Sequence, residues 1–168
     1  MRIKKTKCIL CNEKSVKDFI NLGKTALANN LINSPKLRIK KYPLIVGKCS
    51  NCEHIQLSHL PNPILMFKNY LYLSSASSTL TNHLKNIPMA VNNLSKIKKK
   101  DLVIDIGSND GTLLSGYDKF APTKVGVEPA KNLAKYYKNK KNNLINDFFN
   151  FKIAKKIKKK FGLAKVIT

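Results

Sequence analysis

The sequence predicts an α/β protein in which a small zinc-binding N-terminal domain precedes the first half of a Rossmann-like sheet. All four cysteines of the 168-residue chain form two C-x-x-C pairs in its first third. From residue 101 onward, patterns typical of buried strands and of helices alternate, which indicates a parallel, doubly wound sheet. We therefore place the zinc-binding domain at 1–62, a helical connector at 63–100 and the partial Rossmann-like domain at 101–168.

The predicted metal ligands are the four cysteines, Cys8, Cys11, Cys49 and Cys52. Paired C-x-x-C units in a reducing compartment bind metal more often than they form disulfides. Four thiolates complete the tetrahedral shell that zinc prefers, so the role is structural. Asn12 and Glu53 follow the two pairs, where a positive φ is favoured and asparagine adopts it more readily than glutamate. His54 and His59 lie nearby but are not needed as ligands.

Each element after residue 101 follows from its pattern. The run at 102–106 is apolar apart from Asp105 and ends at Gly107, as a buried parallel strand does. Pro129 suits a first helical turn, and Asn150 suits a helix cap. The predicted strands are 102–106, 124–128, 144–146 and one beginning at 164, and the predicted helices are 112–120, 129 to about 140, and 151–161.

Acidic and glycine residues collect where the first predicted strands end. Glycines after a strand let the backbone approach a ligand, and an acid ending the second strand accepts ribose hydroxyls. A dinucleotide is the rival ligand, but it requires G-x-G-x-x-G, and Asp110 would repel a pyrophosphate. S-adenosylmethionine (SAM) is a cation, which suits an acidic site. The predicted SAM-binding residues are Asp105, Gly107, Asn109, Asp110, Gly111, Glu128 and Asp147.

Together these motifs resemble the sugar C-methyltransferases, in register and over nearly the whole chain. The segments that carry the resemblance are the two C-x-x-C pairs, Asn21-Leu22-Gly23, Pro43-Leu44, Tyr70-x-Tyr72-x-Ser74-Ser75, the stretch 105–114, Gly126-Val127-Glu128-Pro129-Ala130 and Asp147-Phe148-Phe149. The resemblance implies a class I methyltransferase domain that moves a methyl group from SAM to a carbon of a nucleotide-linked 4-keto-deoxy sugar. It also implies that Tyr70 or Tyr72 faces this sugar, and that His83 packs or faces substrate.

The family's sequences continue beyond the strand that begins at 164. The resemblance therefore implies that the substrate domain and the general base lie outside this chain. Two origins stay open, a split enzyme whose C-terminal half is a separate polypeptide and a truncated gene. We expect the chain alone to bind SAM weakly and not to methylate sugars.

The net charge of +23 favours a different partner, nucleic acid. However, Arg2 and Arg38 are the only arginines, and arginine is the residue that reads phosphate and base edges. We expect only nonspecific binding. Two alternatives stay open, a non-catalytic zinc-ribbon module using its basic surface on RNA and an inert remnant. The sequence shows no apolar membrane span and no signal peptide, so we expect a cytoplasmic protein.

Overall fold

The computed structural model describes residues 7–28, 30–137 and 142–168 and the backbone of 2–4, and it forms two compact units, 1–67 and 68–168. The first unit is built of short strands. Its elements are β1 (Arg2–Lys4), β2 (Val16–Thr25), β3 (Tyr42–Cys49), β4 (Ile55–Leu57), β5 (His59–Pro61) and α1 (Ile64–Phe67). Strands β2, β3 and β4 form an antiparallel sheet in that order, and β1 pairs with β5.

The second unit begins with an extended segment and a long helix that precede the sheet. Its elements are α2 (Ser78–Ser95), β6 (Leu102–Ile106), α3 (Thr112–Ser115), β7 (Thr123–Val127), β8 (Asn143–Ile145), α4 (Phe151–Phe161) and β9 (Ala164–Ile167). The polar stretch before α2 holds a short 3-10 helix, Ser74–Ala76, and Ser77 caps α2 by accepting a hydrogen bond from the Leu80 N–H.

The sheet of this unit is parallel, with strand order β8-β7-β6-β9, as the alternating pattern predicts. Side chains alternate between its faces, so each face has its own apolar cluster. One cluster contains Leu102, Ile104, Val125, Val127, Ile153 and Ile157, and the other contains Ile97, Val103, Leu114, Tyr117 and Tyr137. Helix α4 covers the first face, and the Asn150 side chain caps it by accepting from the Ile153 N–H at 3.0 Å.

Two predicted helices differ from the structure. The helix predicted at 112–120 is one turn, α3, followed by a 3-10 turn, Asp118–Phe120. Gly116 lies so close to α2 that a Cβ there would approach the Lys85 carbonyl oxygen to 2.7 Å. Its N–H donates to the Leu113 carbonyl, three residues back, as in a 3-10 turn. The helix predicted from 129 is a 3-10 helix, Lys131–Tyr137, and residues 138–141 lie outside the described part.

Within the described residues, none of the helices combines the length and apolar character needed to cross a bilayer.

Candidate functional site

The antiparallel pairing of β2 with β3 brings the two C-x-x-C knuckles together. Val16, which follows the first knuckle, pairs with Cys49, the first cysteine of the second knuckle. The Ser50 N–H donates to the Ser15 carbonyl at 2.9 Å and ties the two turns side by side. Strand register therefore converts a long separation in sequence into one cluster of four sulfurs.

Both knuckles close with the same backbone geometry. In each, the first cysteine's carbonyl accepts from the residue four positions on, and its N–H donates to the carbonyl five positions on. The residue after the second cysteine has a positive φ in both, 64° at Asn12 and 62° at Glu53. The four bonds are Asn12 N to Cys8 O at 3.0 Å, Cys8 N to Glu13 O at 2.8 Å, Glu53 N to Cys49 O at 3.0 Å and Cys49 N to His54 O at 2.9 Å.

The sulfur positions fit a tetrahedral zinc ion. The four Sγ atoms all lie within 4.8 Å of one another, and the closest pairs, Cys8–Cys52 and Cys11–Cys49, are each 3.6 Å apart. A zinc–sulfur bond of about 2.3 Å places tetrahedral ligands about 3.8 Å apart. Cys8 and Cys49 are buried, which shields the centre from water.

The electrostatics of the cluster also suit a cation. A hydrogen bond from the Ser15 hydroxyl, at 3.0 Å, is the first cause that lowers the pKa of Cys49 to about 6. The largest single influence on Cys52, a backbone hydrogen bond at His54, lowers its pKa, but burial and the neighbouring thiols together raise that pKa to about 12. A bound metal ion favours the ionised form of all four thiols, which is the form that coordinates zinc.

Two residues that the sequence analysis did not assign to the cysteine cluster support it. The buried side chain of Gln56 accepts from the Ile9 N–H at 2.9 Å and donates to the Lys7 carbonyl at 3.2 Å, so it holds the first knuckle. Ser15 hydrogen-bonds the Cys49 sulfur. Gln56 falls within β4, and only the strand pairing places it under the distant knuckle.

Glu53→Gly is expected to slow zinc loss to a chelator by roughly two- to fivefold, because glycine adopts the positive φ at this position without a Cβ penalty. The variant also loses the exposed ion pair of Glu53 with Lys48, which contributes little. Glu53→Ala is the matched control, since it loses the ion pair and keeps the strain. Equal rates of zinc loss from the two variants would contradict this explanation.

A second cluster lies at the carboxyl edge of the parallel sheet, where open α/β folds bind ligands. The glycine loop, residues 107–111, follows β6 and turns back on β7 through bonds from the Gly107 and Ser108 N–H groups to the Val127 carbonyl. Gly107 has φ +72°, and a Cβ there would meet no atom within 4 Å. The loop therefore opens onto space at the point where a ligand would approach it.

Glu128 joins the loop to the end of β7. One of its carboxylate oxygens accepts from the Asn109 N–H at 2.9 Å and the other from the Ala130 N–H at 2.8 Å. A carboxylate offers about four lone-pair positions, so two remain after these bonds. The structure thus fixes the orientation of an acid that keeps acceptor capacity for ligand hydroxyl groups.

Asp105 occupies the end of β6 as a buried carboxylate. Burial is the main reason that its pKa rises to about 6; a hydrogen bond from the Thr168 hydroxyl lowers it and the charge of Glu128 raises it. The Thr168 oxygen lies 3.1 Å from Asp105 Oδ1. A cation bound nearby would favour the ionised carboxylate, so this pair of acids suits a positively charged ligand.

The side chains of Asn109 and Asp110 bind another part of the chain. We call residues 68–75 the strap. Asn109 Oδ1 accepts from the Ser74 N–H at 3.0 Å, and its Nδ2 donates to the Tyr72 carbonyl at 3.0 Å. Asp110 Oδ2 accepts from the Ser75 N–H at 2.9 Å. Tyr72 is thereby placed beside the glycine loop with its side chain 47% exposed.

The strap is tied at its other end to the segment after β7. Asn132 accepts from the Tyr70 N–H at 2.9 Å and donates to the Tyr70 carbonyl at 2.7 Å, and the Lys131 N–H donates to the Lys68 carbonyl at 2.9 Å. The half-buried Tyr70 and the exposed Tyr72 therefore both lie on a segment that crosses the carboxyl edge of the sheet.

Asp147 follows β8, as predicted, and is exposed. It accepts from the Phe148 N–H at 2.7 Å and lines a cavity of about 300 Å³ beside α4, together with Lys156 and Lys160. The side chain of its neighbour Asn146 donates a hydrogen bond to the Glu128 carbonyl at 2.7 Å. Asn146 is thus a second polar side chain at this strand end, which the sequence analysis did not single out.

Tyr137 is a further residue that the sequence analysis did not assign to the site. Its hydroxyl lies 2.6 Å from the Ser108 hydroxyl, beneath the glycine loop. A Cβ at Gly126 would meet both of these hydroxyl groups at under 3 Å. Gly126 could have indicated this contact from the sequence, because a glycine within a buried strand marks a close approach by another group.

At the start of α3, where a dinucleotide would need free N–H donors, the first two N–H groups are already bonded within the protein. The Gly111 N–H is bonded to the Ser108 carbonyl, and Asp110 Oδ1 accepts from the Thr112 N–H at 3.1 Å and from its hydroxyl at 2.6 Å. The negative charge of the buried Asp110 carboxylate, directly under these N–H groups, disfavours a pyrophosphate at this position. The geometry suits a cation better than a polyphosphate.

The four clustered thiols of the first unit define a zinc-binding domain, and the parallel sheet of the second unit, with acidic residues at its carboxyl edge, defines a Rossmann-like domain. Residues 8–67 match the family described as "Putative zinc binding domain". Over 163 residues, 95% of its length, the chain is 28% identical to C-methyltransferase NovU of Streptomyces niveus. These similarities bear out the resemblance found in the motifs: residues 8–67 match a zinc-binding family, and nearly the whole chain is similar to a C-methyltransferase. The chain spans 39% of that relative's length.

Proposed function

We propose that this chain provides the zinc-binding and cofactor-binding parts of a SAM-dependent C-methyltransferase, with a nucleotide-linked 4-keto-deoxy sugar as the methyl acceptor. The observation that carries the proposal is the Glu128 carboxylate fixed against the glycine loop of a chain related to a C-methyltransferase. The buried Asp105 beside it adds negative charge where a sulfonium cofactor would lie.

Different residues suit different parts of the cofactor. Glu128 retains acceptor positions suited to the two ribose hydroxyls, and Asp105 suits the cationic methionine end. Gly107 leaves space for close approach of the ligand to the backbone. Asp147 is placed after β8 at the same sheet edge, where it suits the adenine amino group. When bound, SAM supplies an electrophilic methyl group.

The acceptor class follows from the carbon nucleophile that C-methylation needs. A neighbouring ketone makes a sugar C–H acidic, so that removal of the proton leaves an enolate that attacks the methyl group in line. Tyr70 and Tyr72, carried by the strap, are the residues that we propose lie against this sugar. We assign no general base within the described residues.

Glu128→Ala is expected to weaken SAM binding by roughly 5- to 150-fold, the equivalent of about 1–3 kcal/mol for unpaired hydrogen-bonding groups. The variant also leaves the Asn109 and Ala130 N–H groups without their acceptor, so Glu128→Gln, which keeps one amide oxygen, accompanies it. Isothermal titration measures the SAM dissociation constant of both variants. Unchanged affinity in Glu128→Ala would contradict the assignment of Glu128.

Because we expect the chain alone not to methylate sugars, the acceptor class is tested with labelled SAM and a panel of nucleotide-linked sugars in the presence of a polypeptide that supplies the C-terminal half. Methyl incorporation into 4-keto sugars but not into their 4-hydroxy counterparts would support it, and incorporation into both would contradict the enolate step. Gly107→Arg is the control, because the new side chain would fill the open space at the loop and strain a positive φ.

A second candidate function, RNA binding, is favoured by the exposed face of α4. Six lysines lie there with no acidic residue on the helix: Lys152, Lys155, Lys156, Lys158, Lys159 and Lys160. Binding through them would weaken steeply as salt rises. Titration with RNA at moderate salt, beside the SAM titration, separates the two functions.

A further inference from the structure

The most extensive side-chain hydrogen bonding at the carboxyl edge of the sheet joins the glycine loop to the strap. The sequence predicts Asn109 and Asp110 as ligands of the cofactor. In the structure, Asn109 Oδ1 accepts from the N–H groups of Ser74 and Asp110, while its Nδ2 donates to the Tyr72 carbonyl. Its side chain has thus used both of its acceptor positions and one of its two donors within the protein.

The carboxylate oxygens of Asp110 also accept hydrogen bonds from within the protein. Oδ1 accepts from the Thr112 N–H and hydroxyl, and Oδ2 accepts from the Ser75 N–H at 2.9 Å. The residue is 1% exposed. Its carboxylate therefore joins the start of α3 to the strap from inside the protein, where a bound cofactor would have little access to it.

The strap itself has few other reasons to be ordered. It contains no regular helix or strand before Ser74, and Leu71 and Tyr72 are exposed. Side chains from the loop after β6 and the segment after β7 bind its backbone at positions 70, 72, 74 and 75. Hydrogen bonds to backbone groups fix the path of a segment.

We infer that Asn109, Asp110 and Asn132 are positioning residues that hold the strap across the ligand edge of the sheet, so that the cofactor loop sets the placement of Tyr70 and Tyr72. Asn109 has φ 49°, a left-handed conformation that asparagine tolerates, so its amide can face the strap. The link to methyl transfer rests on the proposed function, whereas the clamp itself does not.

The test uses three variants that each remove one end of the clamp. Asn109→Gly removes the side chain and keeps the positive φ accessible. Asp110→Asn keeps an oxygen for Thr112 and turns an amide group toward the Ser75 N–H. Asn132→Ala releases the Tyr70 end. Asn143→Ala is the matched control, because it removes a side-chain amide bond to the Lys124 carbonyl in the same sheet, away from the strap.

Amide hydrogen exchange and limited chymotrypsin cleavage at residues 70–73 measure the strap, and titration with SAM measures the cofactor site. We expect at least tenfold faster exchange at Ser74 and Ser75 in Asn109→Gly and Asp110→Asn, and at Tyr70 in Asn132→Ala. Chymotrypsin should cut all three faster than Asn143→Ala. The SAM dissociation constant should change by less than about threefold.

The opposite pattern would overturn the inference. If Asn109 and Asp110 bind the cofactor directly, their variants will lose SAM affinity by tenfold or more while exchange in the strap stays as in the parent. If the parent itself binds no SAM, the proposed function fails, and the exchange data alone still decide whether the clamp exists: unchanged exchange in all three variants would refute it.

Discussion

Removal of zinc is expected to unfold the first unit, residues 1–67, while the second unit stays folded. Cys49→Ser, or treatment of the parent with a chelator, should make residues 7–67 exchange amide hydrogens and yield to proteases far faster than residues 78–137. Elemental analysis of the parent should find one zinc per chain. Structural zinc contributes on the order of 10 kcal/mol to the folding of small domains at neutral pH.

The reason is the composition of this unit's interior. Among its described residues, the buried positions are Cys8, Tyr42, Gly47, Cys49, Gln56 and Ser58. Tyr42 is the one large apolar side chain in that set, so burial of apolar surface cannot offset the entropy of ordering the chain. The second unit has two apolar clusters and does not depend on a metal in this way.

Ser50→Ala is the control for Cys49→Ser, because Ser50 lies in the same knuckle and is not a ligand. It should leave the zinc content at one per chain. A Cys49→Ser protein that resists proteases across residues 7–67 as well as the parent does would show that the metal is not what stabilises this unit.

Asp105→Asn is expected to stabilise the second unit at neutral pH and at the same time to weaken SAM binding, by roughly 10- to 100-fold. The folded pKa of Asp105, about 6, lies above the value of about 3.9 for an unfolded aspartate. Ionisation therefore costs the folded state free energy. The contribution of this group to stability is fully present below about pH 4 and is lost as pH rises through 6.

A raised pKa of this size corresponds to at most about 3 kcal/mol at pH 7 and above. The asparagine variant should recover part of that free energy, because its amide oxygen can still accept from the Thr168 hydroxyl. Thermal unfolding should show the gain at pH 7.5 and little difference near pH 4. A buried carboxylate that costs stability when no ligand is bound is typical of a residue kept for binding.

Binding of SAM should show the complementary dependence. In the parent, affinity should fall as pH drops through about 6, because the cation binds the ionised form of Asp105; in Asp105→Asn this dependence should disappear. Glu13→Gln removes one negative charge at an exposed position and should change neither property. An Asp105→Asn protein that keeps both the parent's SAM affinity and its pH dependence would exclude Asp105 from the site.

The spacing of residues was enough to predict much of the architecture. The C-x-x-C pairs predict a four-sulfur cluster because two tight turns can each present two thiols. The run at 102–106, apolar apart from Asp105, predicts a buried strand because a strand covered on both faces carries apolar side chains on both. Asn150 and the helical spacing of Phe151, Ile157 and Phe161 predict α4, whose start and end agree with the structure.

Other features depend on groups that come together only in the folded chain. The one-turn length of α3 follows from the close approach of Gly116 to α2. The high pKa of Asp105 follows from its burial, and Gln56 lies under the first knuckle only because β4 pairs with β3. None of these can be read from local pattern, because each is a contact between segments that are distant in sequence.

The sequence by itself determined which four cysteines cluster, the order of the strands along the chain and the acidic residues at the carboxyl edge of the sheet, since residue type and spacing suffice for these. The tertiary structure decided what the individual polar side chains bind. Asn109 and Asp110 follow a strand as cofactor ligands do, yet they bind the backbone of residues 72–75. A side chain forms hydrogen bonds with whichever partner folding brings within about 3 Å, and the residue type alone does not predict that partner.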